Sequence, residues 1–124
     1  MAAAAKASSG KTIVGYNYTK NPAVTHARRL IESGVIGDVA GFFCRYDVDN
    51  EADGNRPWSW RMSRDQSGTG ANGDVLCHVI SVAHYLTGST ISRAVGDYAI
   101  VHKERTDPDN ANATKTVDND DMVS

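Results

Sequence analysis

Residues 74–88 carry the pattern that most restricts how this chain can fold. Apolar side chains recur there at the three- and four-residue spacing of an α-helix, and Gly88 follows as a helix-ending residue. The stripe consists of Val75, Val79, Val82, Ala83 and Leu86. Because a helix with one apolar face must bury it against another element, the rest of the chain has to provide a packing surface.

Two segments have a period of two, which predicts β-strands. In residues 38–49 the side chains of Phe42 and Tyr46 fall on one side and charged side chains fall on the other, as in a strand with one buried face. Residues 91–102 alternate in the same way, and residues 117–124 could begin a further strand. One long amphipathic helix together with such strands predicts an α+β fold.

The first part of the chain predicts two helices and a short strand. Residues 2–9 are strong helix formers, and residues 13–18 are β-branched and aromatic, as in a strand. Asn21 and Pro22 then form a helix start, in which asparagine caps the helix and proline takes its first position. Gly34 ends this helix.

Composition excludes two classes of partner. The net charge of −2 leaves no basic patch for a phosphate backbone, so we predict no nucleic-acid partner. No apolar run approaches the roughly 20 residues of a membrane span, so we predict no membrane partner. The alanine-rich residues 1–11 lack the basic region and apolar stretch of a secretory signal, and we therefore predict a cytoplasmic protein.

Asp74 and His78 are the candidate catalytic pair. They are four residues apart, so on an α-helix they share one face, with about 5–6 Å between their Cβ atoms. The helix dipole favours a charged Asp74, and a neutral imidazole one turn later can accept a proton near neutral pH. Taken alone, the pattern leaves open that Asp74 only stabilises the helix end and that His78 is structural. A metal site is not predicted, because His84 faces away from this pair.

Trp58, Trp60 and Arg61 form a second candidate cluster. Aromatic rings beside a guanidinium group suit the apolar face and hydroxyl rim of a sugar, or a nicotinamide ring. The alternative is that the two tryptophans cover the edge of the sheet.

Four segments together resemble the glucose–fructose oxidoreductase, inositol dehydrogenase and rhizopine-catabolism family (Gfo/Idh/MocA) of NAD(P)-dependent dehydrogenases. They are GKTIVGYNY at residues 10–18 with Asn21 and Pro22, LIESGVIG at 30–37, PWSWR at 57–61, and GANGDVLCH at 70–78 continuing to YLTG at 85–88. The chain departs from the family at Ser81, where an aspartate is common, and at Thr19, where an arginine is common. Both departures leave the choice of substrate open.

The resemblance implies an open, mostly antiparallel sheet with helices on one face, preceded by the last helix and strand of a Rossmann domain. On this basis residues 1–19 are assigned to the dinucleotide-binding domain and residues 20–124 to a substrate and oligomerisation domain. The family's catalytic lysine, in a Glu-Lys-Pro segment, is absent. We also identify no GxGxxG fingerprint of a nucleotide-binding domain.

The resemblance also implies roles for the candidate residues. His78 would take the proton from a sugar hydroxyl while hydride leaves the same carbon for NAD or NADP, and Asp74 would bind a neighbouring hydroxyl. We further assign Asn17, Trp60 and Arg61 to the cofactor side of the site, and Tyr18 and Trp58 to the substrate side. The partners expected are a sugar or cyclic polyol and a second copy of the chain, paired through the sheet.

The interpretation that follows is a fragment of a sugar or polyol dehydrogenase that is inactive alone. The first alternative is a non-catalytic interaction or oligomerisation module, since an unfinished sheet leaves edges open for pairing. The second is a hydrolase. It would use Asp74 and His78, and it ranks last because no serine or cysteine stands in a recognisable nucleophile elbow. Cys77 is next to His78 in sequence, but the two point about 100° apart on a helix.

Overall fold

The computed structural model describes residues 2–124, in which the helices precede the strands. The helices are α1 (Ala2–Ala7), α2 (Pro22–Glu32), α3 (Arg64–Ser67) and α4 (Cys77–Thr87), with 3-10 turns at Asn17–Lys20 and Trp60–Met62 and a π-helical turn at Asn72–Leu76. The strands are β1 (Tyr98–Ala99), β2 (Glu104–Asp107), β3 (Asn110–Thr116) and β4 (Met122–Val123). Two antiparallel pairs, β1 with β4 and β2 with β3, complete the architecture and confirm the α+β class.

Helix α2 begins and ends as its sequence predicts. The Asn21 side chain accepts a hydrogen bond from the Ala23 amide at 2.9 Å, and Pro22 occupies the first helical position. Just past the helix, Gly34 has φ of +74°, a left-handed conformation that glycine adopts without strain. Helix α2 packs against α4, where the Arg28 guanidinium lies 4.5 Å from the centre of the Tyr85 ring.

The strand predictions were wrong for two segments. Residues 13–18 form no strand, and Asn17–Lys20 turn in a 3-10 helix instead. Residues 38–49 are also unpaired, and the predicted buried face is open, with Phe42 41% exposed and Cys44 exposed. A strand is defined by hydrogen bonds to a neighbour, and residues 2–124 provide no neighbour to this segment.

In residues 91–124 the first predicted strand is mostly unpaired, and a hairpin that was not predicted is present. Of the strand predicted at 91–102, only Tyr98–Ala99 pairs, and its partner Met122–Val123 lies within the strand predicted at 117–124. The hairpin of β2 and β3 was missed. Its strands are polar and lack an apolar alternation, and the Lys115 ammonium stabilises them by contacting the Asp107 carboxylate at 2.9 Å.

The interior of the described chain is small and partly polar. Met62 and Val117 are the buried apolar residues, and Arg105 and Asn119, each 2% exposed, are the buried polar ones. Large apolar side chains remain on the surface, as at Phe43, which is 91% exposed. Apolar area of this kind marks surfaces suited to packing against further protein. No helix in residues 2–124 is both long enough and apolar enough to span a bilayer.

Candidate active site

One acidic residue near the end of the chain holds the glycine-rich loop in front of α4. The amides of Gly70 and Asn72 donate to the two carboxylate oxygens of Asp120, at 3.1 and 2.7 Å. The Ala71 amide donates to the Asp120 backbone carbonyl at 2.8 Å. Three successive amides are therefore satisfied by one residue, which fixes where the helical segment begins.

Gly68, Gly70 and Gly73 have the spacing of a GxGxxG fingerprint, which the sequence-based prediction overlooked. In a dinucleotide site this loop follows a strand and its amides are free to bind a pyrophosphate. Here the loop follows the short helix α3, and its amides already bind the Asp120 carboxylate. The loop therefore does not fit the pyrophosphate of a nicotinamide cofactor.

Replacing Gly70 with alanine is expected to lower the free energy of unfolding by about 1–3 kcal/mol, the usual cost of forcing atoms into an occupied space. A Cβ atom at this position would lie 1.8 Å from the Asp120 carbonyl oxygen, so backbone has to move. Urea denaturation followed by circular dichroism measures the change. Gly15→Ala is the matched control, because its Cβ would meet nothing within 4 Å. Equal stability of the two variants would contradict the close packing of Gly70 against the Asp120 backbone.

Asp74 lies in the π-helical turn at Asn72–Leu76, not in the regular helix that its spacing predicts. Turns of this type are frequent at functional sites because they redirect one side chain within a helix. The Asp74 carboxylate lies 3.5 Å from the Arg61 Nε atom, and the Arg61 guanidinium lies 4.5 Å from the centre of the Trp60 ring. All three residues line a cavity of about 530 Å³.

His78 lies on α4 and is surrounded by aromatic rings. The Tyr18 ring is perpendicular to the imidazole, with 4.7 Å between the ring centres, and the Tyr16 ring is at 6.0 Å. The Nδ1 atom of His78 is buried and has no hydrogen-bond partner among residues 2–124. No protein hydrogen bond from residues 2–124 therefore sets the tautomer of this imidazole at Nδ1. His78 is not among the residues that line the 530 Å³ cavity.

Tyr46 lies between the two members of the candidate pair in its interactions and was not singled out from the sequence. Its hydroxyl forms a hydrogen bond with the Tyr18 hydroxyl. This bond raises the pKa of Tyr46 above its ordinary value, and desolvation and the charge of Asp74 act in the same direction. Tyr46, Tyr18 and His78 thus form a row of direct contacts, and the charge of Asp74 acts on Tyr46. We call these four residues the Asp–Tyr–Tyr–His cluster.

The remaining candidate residues are placed differently. The Trp58 indole donates to the Thr116 carbonyl at 3.0 Å, and the Lys115 ammonium lies 5.2 Å from the ring centre. Trp58 thus covers the β2–β3 hairpin, the structural role considered for the tryptophans. Asn17 begins the 3-10 turn that carries Tyr18 and is exposed.

The positions of Cys77 and of the histidine and acidic side chains do not support a nucleophile–base pair or a metal site in residues 2–124. The Cys77 thiol donates to the Asp74 carbonyl at 3.5 Å and not to His78, so these neighbours do not form a nucleophile–base pair. Within the described part of the chain, no three histidine, cysteine or acidic side chains are grouped closely enough to hold a metal ion.

Comparison with known proteins identifies relatives over nearly the whole chain. The family model described as the GFO/IDH/MocA C-terminal domain matches residues 24–124. Levoglucosan dehydrogenase of Pseudarthrobacter phenanthrenivorans is 45% identical over 76 residues, which are 61% of this chain and 20% of that enzyme.

Solved structures give the same result. A levoglucosan dehydrogenase in complex with NADH superposes with a TM-score of 0.83 at 38% identity and covers 98% of this chain and 32% of its own. An oxidoreductase domain protein from Kribbella flavida superposes with a TM-score of 0.80 at 34% identity and covers 98% and 34%. Another levoglucosan dehydrogenase structure contains NADH and levoglucosan. The chain thus spans about a third, or less, of the length of these relatives.

Proposed function

This chain belongs to the GFO/IDH/MocA family, and from that premise we propose that it forms the substrate side of a dehydrogenase that oxidises a hydroxyl of a sugar or cyclic polyol. The observation that supports this proposal is the Asp–Tyr–Tyr–His cluster, in which Tyr18 contacts the His78 ring, the Tyr46 hydroxyl is bonded to Tyr18, and the charge of Asp74 acts on Tyr46. The 45% identity to levoglucosan dehydrogenase supports a sugar as the substrate class.

The proposed reaction begins with His78. A hydroxyl proton of the sugar passes to the imidazole, which the Tyr18 ring holds in a perpendicular contact. Asp74 accepts a hydrogen bond from a neighbouring hydroxyl and thereby orients the carbon to be oxidised. Trp60, with Arg61 stacked on it, gives the cavity that Asp74 lines an apolar wall and a polar rim, which suits a sugar ring.

NAD or NADP would supply the hydride acceptor in the complete enzyme. Residues of this chain can contact only its nicotinamide end, for which we propose Asn17, Trp60 and Arg61, because the glycine loop is occupied by Asp120. The domain boundary stays a proposal at residue 19, and the family match from residue 24 onward supports it. A cytoplasmic location is likewise proposed on the sequence alone.

The isolated chain is expected to bind neither NADH nor NADPH measurably and to have no dehydrogenase activity. Titration calorimetry and cofactor fluorescence measure the binding, and a micromolar dissociation constant would contradict the proposal. Activity requires a chimera, in which this chain replaces the matching segment of levoglucosan dehydrogenase. The chimera is expected to reduce NAD in the presence of a sugar or polyol. A folded chimera that binds NADH but oxidises no member of a sugar and polyol panel would refute the proposed function.

A second candidate function is an oligomerisation module, and the unpaired segment at 38–49 favours it. Phe43 is 91% exposed and Val48 is 52% exposed on this segment, and unpaired backbone of this kind can accept a strand from a second copy. Light scattering after gel filtration separates the outcomes. A monomer that persists across a wide concentration range would remove this candidate.

A further inference from the structure

Tyr46 belongs to no element that fixes it through backbone hydrogen bonds. It lies in the unpaired segment at 38–49, and its side chain is 38% exposed. Its hydrogen bond to Tyr18 nevertheless joins two residues that are 28 positions apart. The ring centres of the two tyrosines are 5.5 Å apart at an angle of 72°, so the contact combines an edge-to-face packing with the hydroxyl bond.

Tyr18 is in turn the residue that contacts the imidazole most closely. Its ring is perpendicular to His78 with 4.7 Å between centres, whereas Tyr16 is 6.0 Å away. Because the Nδ1 atom of His78 has no hydrogen-bond partner among residues 2–124, no polar contact at that nitrogen fixes the ring. The orientation of the imidazole therefore depends on the rings packed against it, and on whatever holds those rings.

We propose that Tyr46 is a positioning residue of the active site, which holds the Tyr18 ring against His78 through the bond between the two hydroxyls. This inference rests on the proposed function of His78 as the proton acceptor. In the pair, one phenolic proton lies between the two oxygens and the other stays available. The pair can thus donate one hydrogen bond to a bound hydroxyl while keeping its own.

The first experiment uses the 124-residue chain and needs no activity. NMR signals of the His78 ring protons report the position of the neighbouring rings, because aromatic rings shift nearby protons. Tyr46→Phe removes only the hydroxyl and is expected to move these signals. Tyr18→Phe is expected to move them equally, and the double variant by no more than either single one, because each change breaks the same bond. Tyr98→Phe, at a residue that is 60% exposed, is the control and should leave them in place.

The second experiment uses the chimera and separates positioning from binding. If Tyr46 acts through the orientation of His78, Tyr46→Phe lowers kcat about 10- to 100-fold and changes KM little, since a slightly misplaced catalytic group costs rate. His78 signals that stay unchanged in Tyr46→Phe, or additive effects in the double variant, would overturn the proposal. A folded wild-type chimera that binds NADH but has no activity would refute the proposed function alone, because the NMR result on Tyr46 would stand independently.

Discussion

Replacing His78 with alanine is expected to lower kcat of the chimera about 10²–10⁴-fold, the usual contribution of a positioned general base. Proton removal from the sugar hydroxyl would then depend on water. Initial rates of NADH formation, followed by absorbance at saturating sugar, measure the loss.

His84→Ala is the matched control, because it removes the same side chain from an exposed position of the same helix. It is expected to keep kcat and KM near their wild-type values. Sugar binding to His78→Ala should also persist, since Asp74 and the cavity around Trp60 are untouched. If His78→Ala retained more than about a tenth of the wild-type kcat, His78 could not be the proton acceptor assigned here.

The helices could be predicted because their signals are local. The asparagine cap at Asn21 and the glycine at Gly34 bound α2, and Gly88, with φ of +67°, ends α4. Each signal acts within one helical turn and needs no distant partner. The start of α4 was the exception, since the π-helical turn at Asn72–Leu76 depends on Asp120, almost 50 positions away in the sequence.

The strands could not be predicted with the same success because pairing is not local. The segment at 38–49 alternates between apolar and polar residues, yet it has no strand partner among residues 2–124. Strands β2 and β3 pair although neither has such an alternation of residue types. Their pairing is stabilised by polar contacts such as Lys115 with Asp107 and by the Trp58 indole on the Thr116 carbonyl. Hydrophobic periodicity indicates a surface that suits a sheet, and it does not identify the neighbour.

In the candidate site, too, the locally encoded features could be predicted and the long-range contacts could not. The spacing of Asp74 and His78 placed both residues in one helical segment, and resemblance to a family gave them roles. Tyr46 and Asp120 carry no sequence motif, and they reach the site by contacts that span 28 and 50 positions. The residues that contact the candidate pair and the loop before it could therefore be identified only from the structure.

Arg105→Met is expected to lower the free energy of unfolding by about 3 kcal/mol or more. Arg105 is 2% exposed, and its guanidinium donates to the backbone carbonyls of Glu51, Asp53 and Arg56. Hydrogen bonds from a charged donor contribute about 1.5–3 kcal/mol each, and methionine cannot replace them. Urea denaturation monitored by tryptophan fluorescence measures the loss.

Two further variants identify the cause of that loss. Arg105→Lys keeps the charge but not the planar fork that reaches several carbonyls at once, so its stability should fall between those of wild type and Arg105→Met. Arg93→Met, at an exposed position, removes a guanidinium without these contacts and should change stability little. The cavity that Asp74 lines is also lined by Arg105, Glu51 and Arg56. Loss of the Arg105 guanidinium should therefore make that side of the cavity more mobile. If Arg105→Met unfolded at the same urea concentration as Arg93→Met, the buried guanidinium would not be what holds residues 51–56 in place.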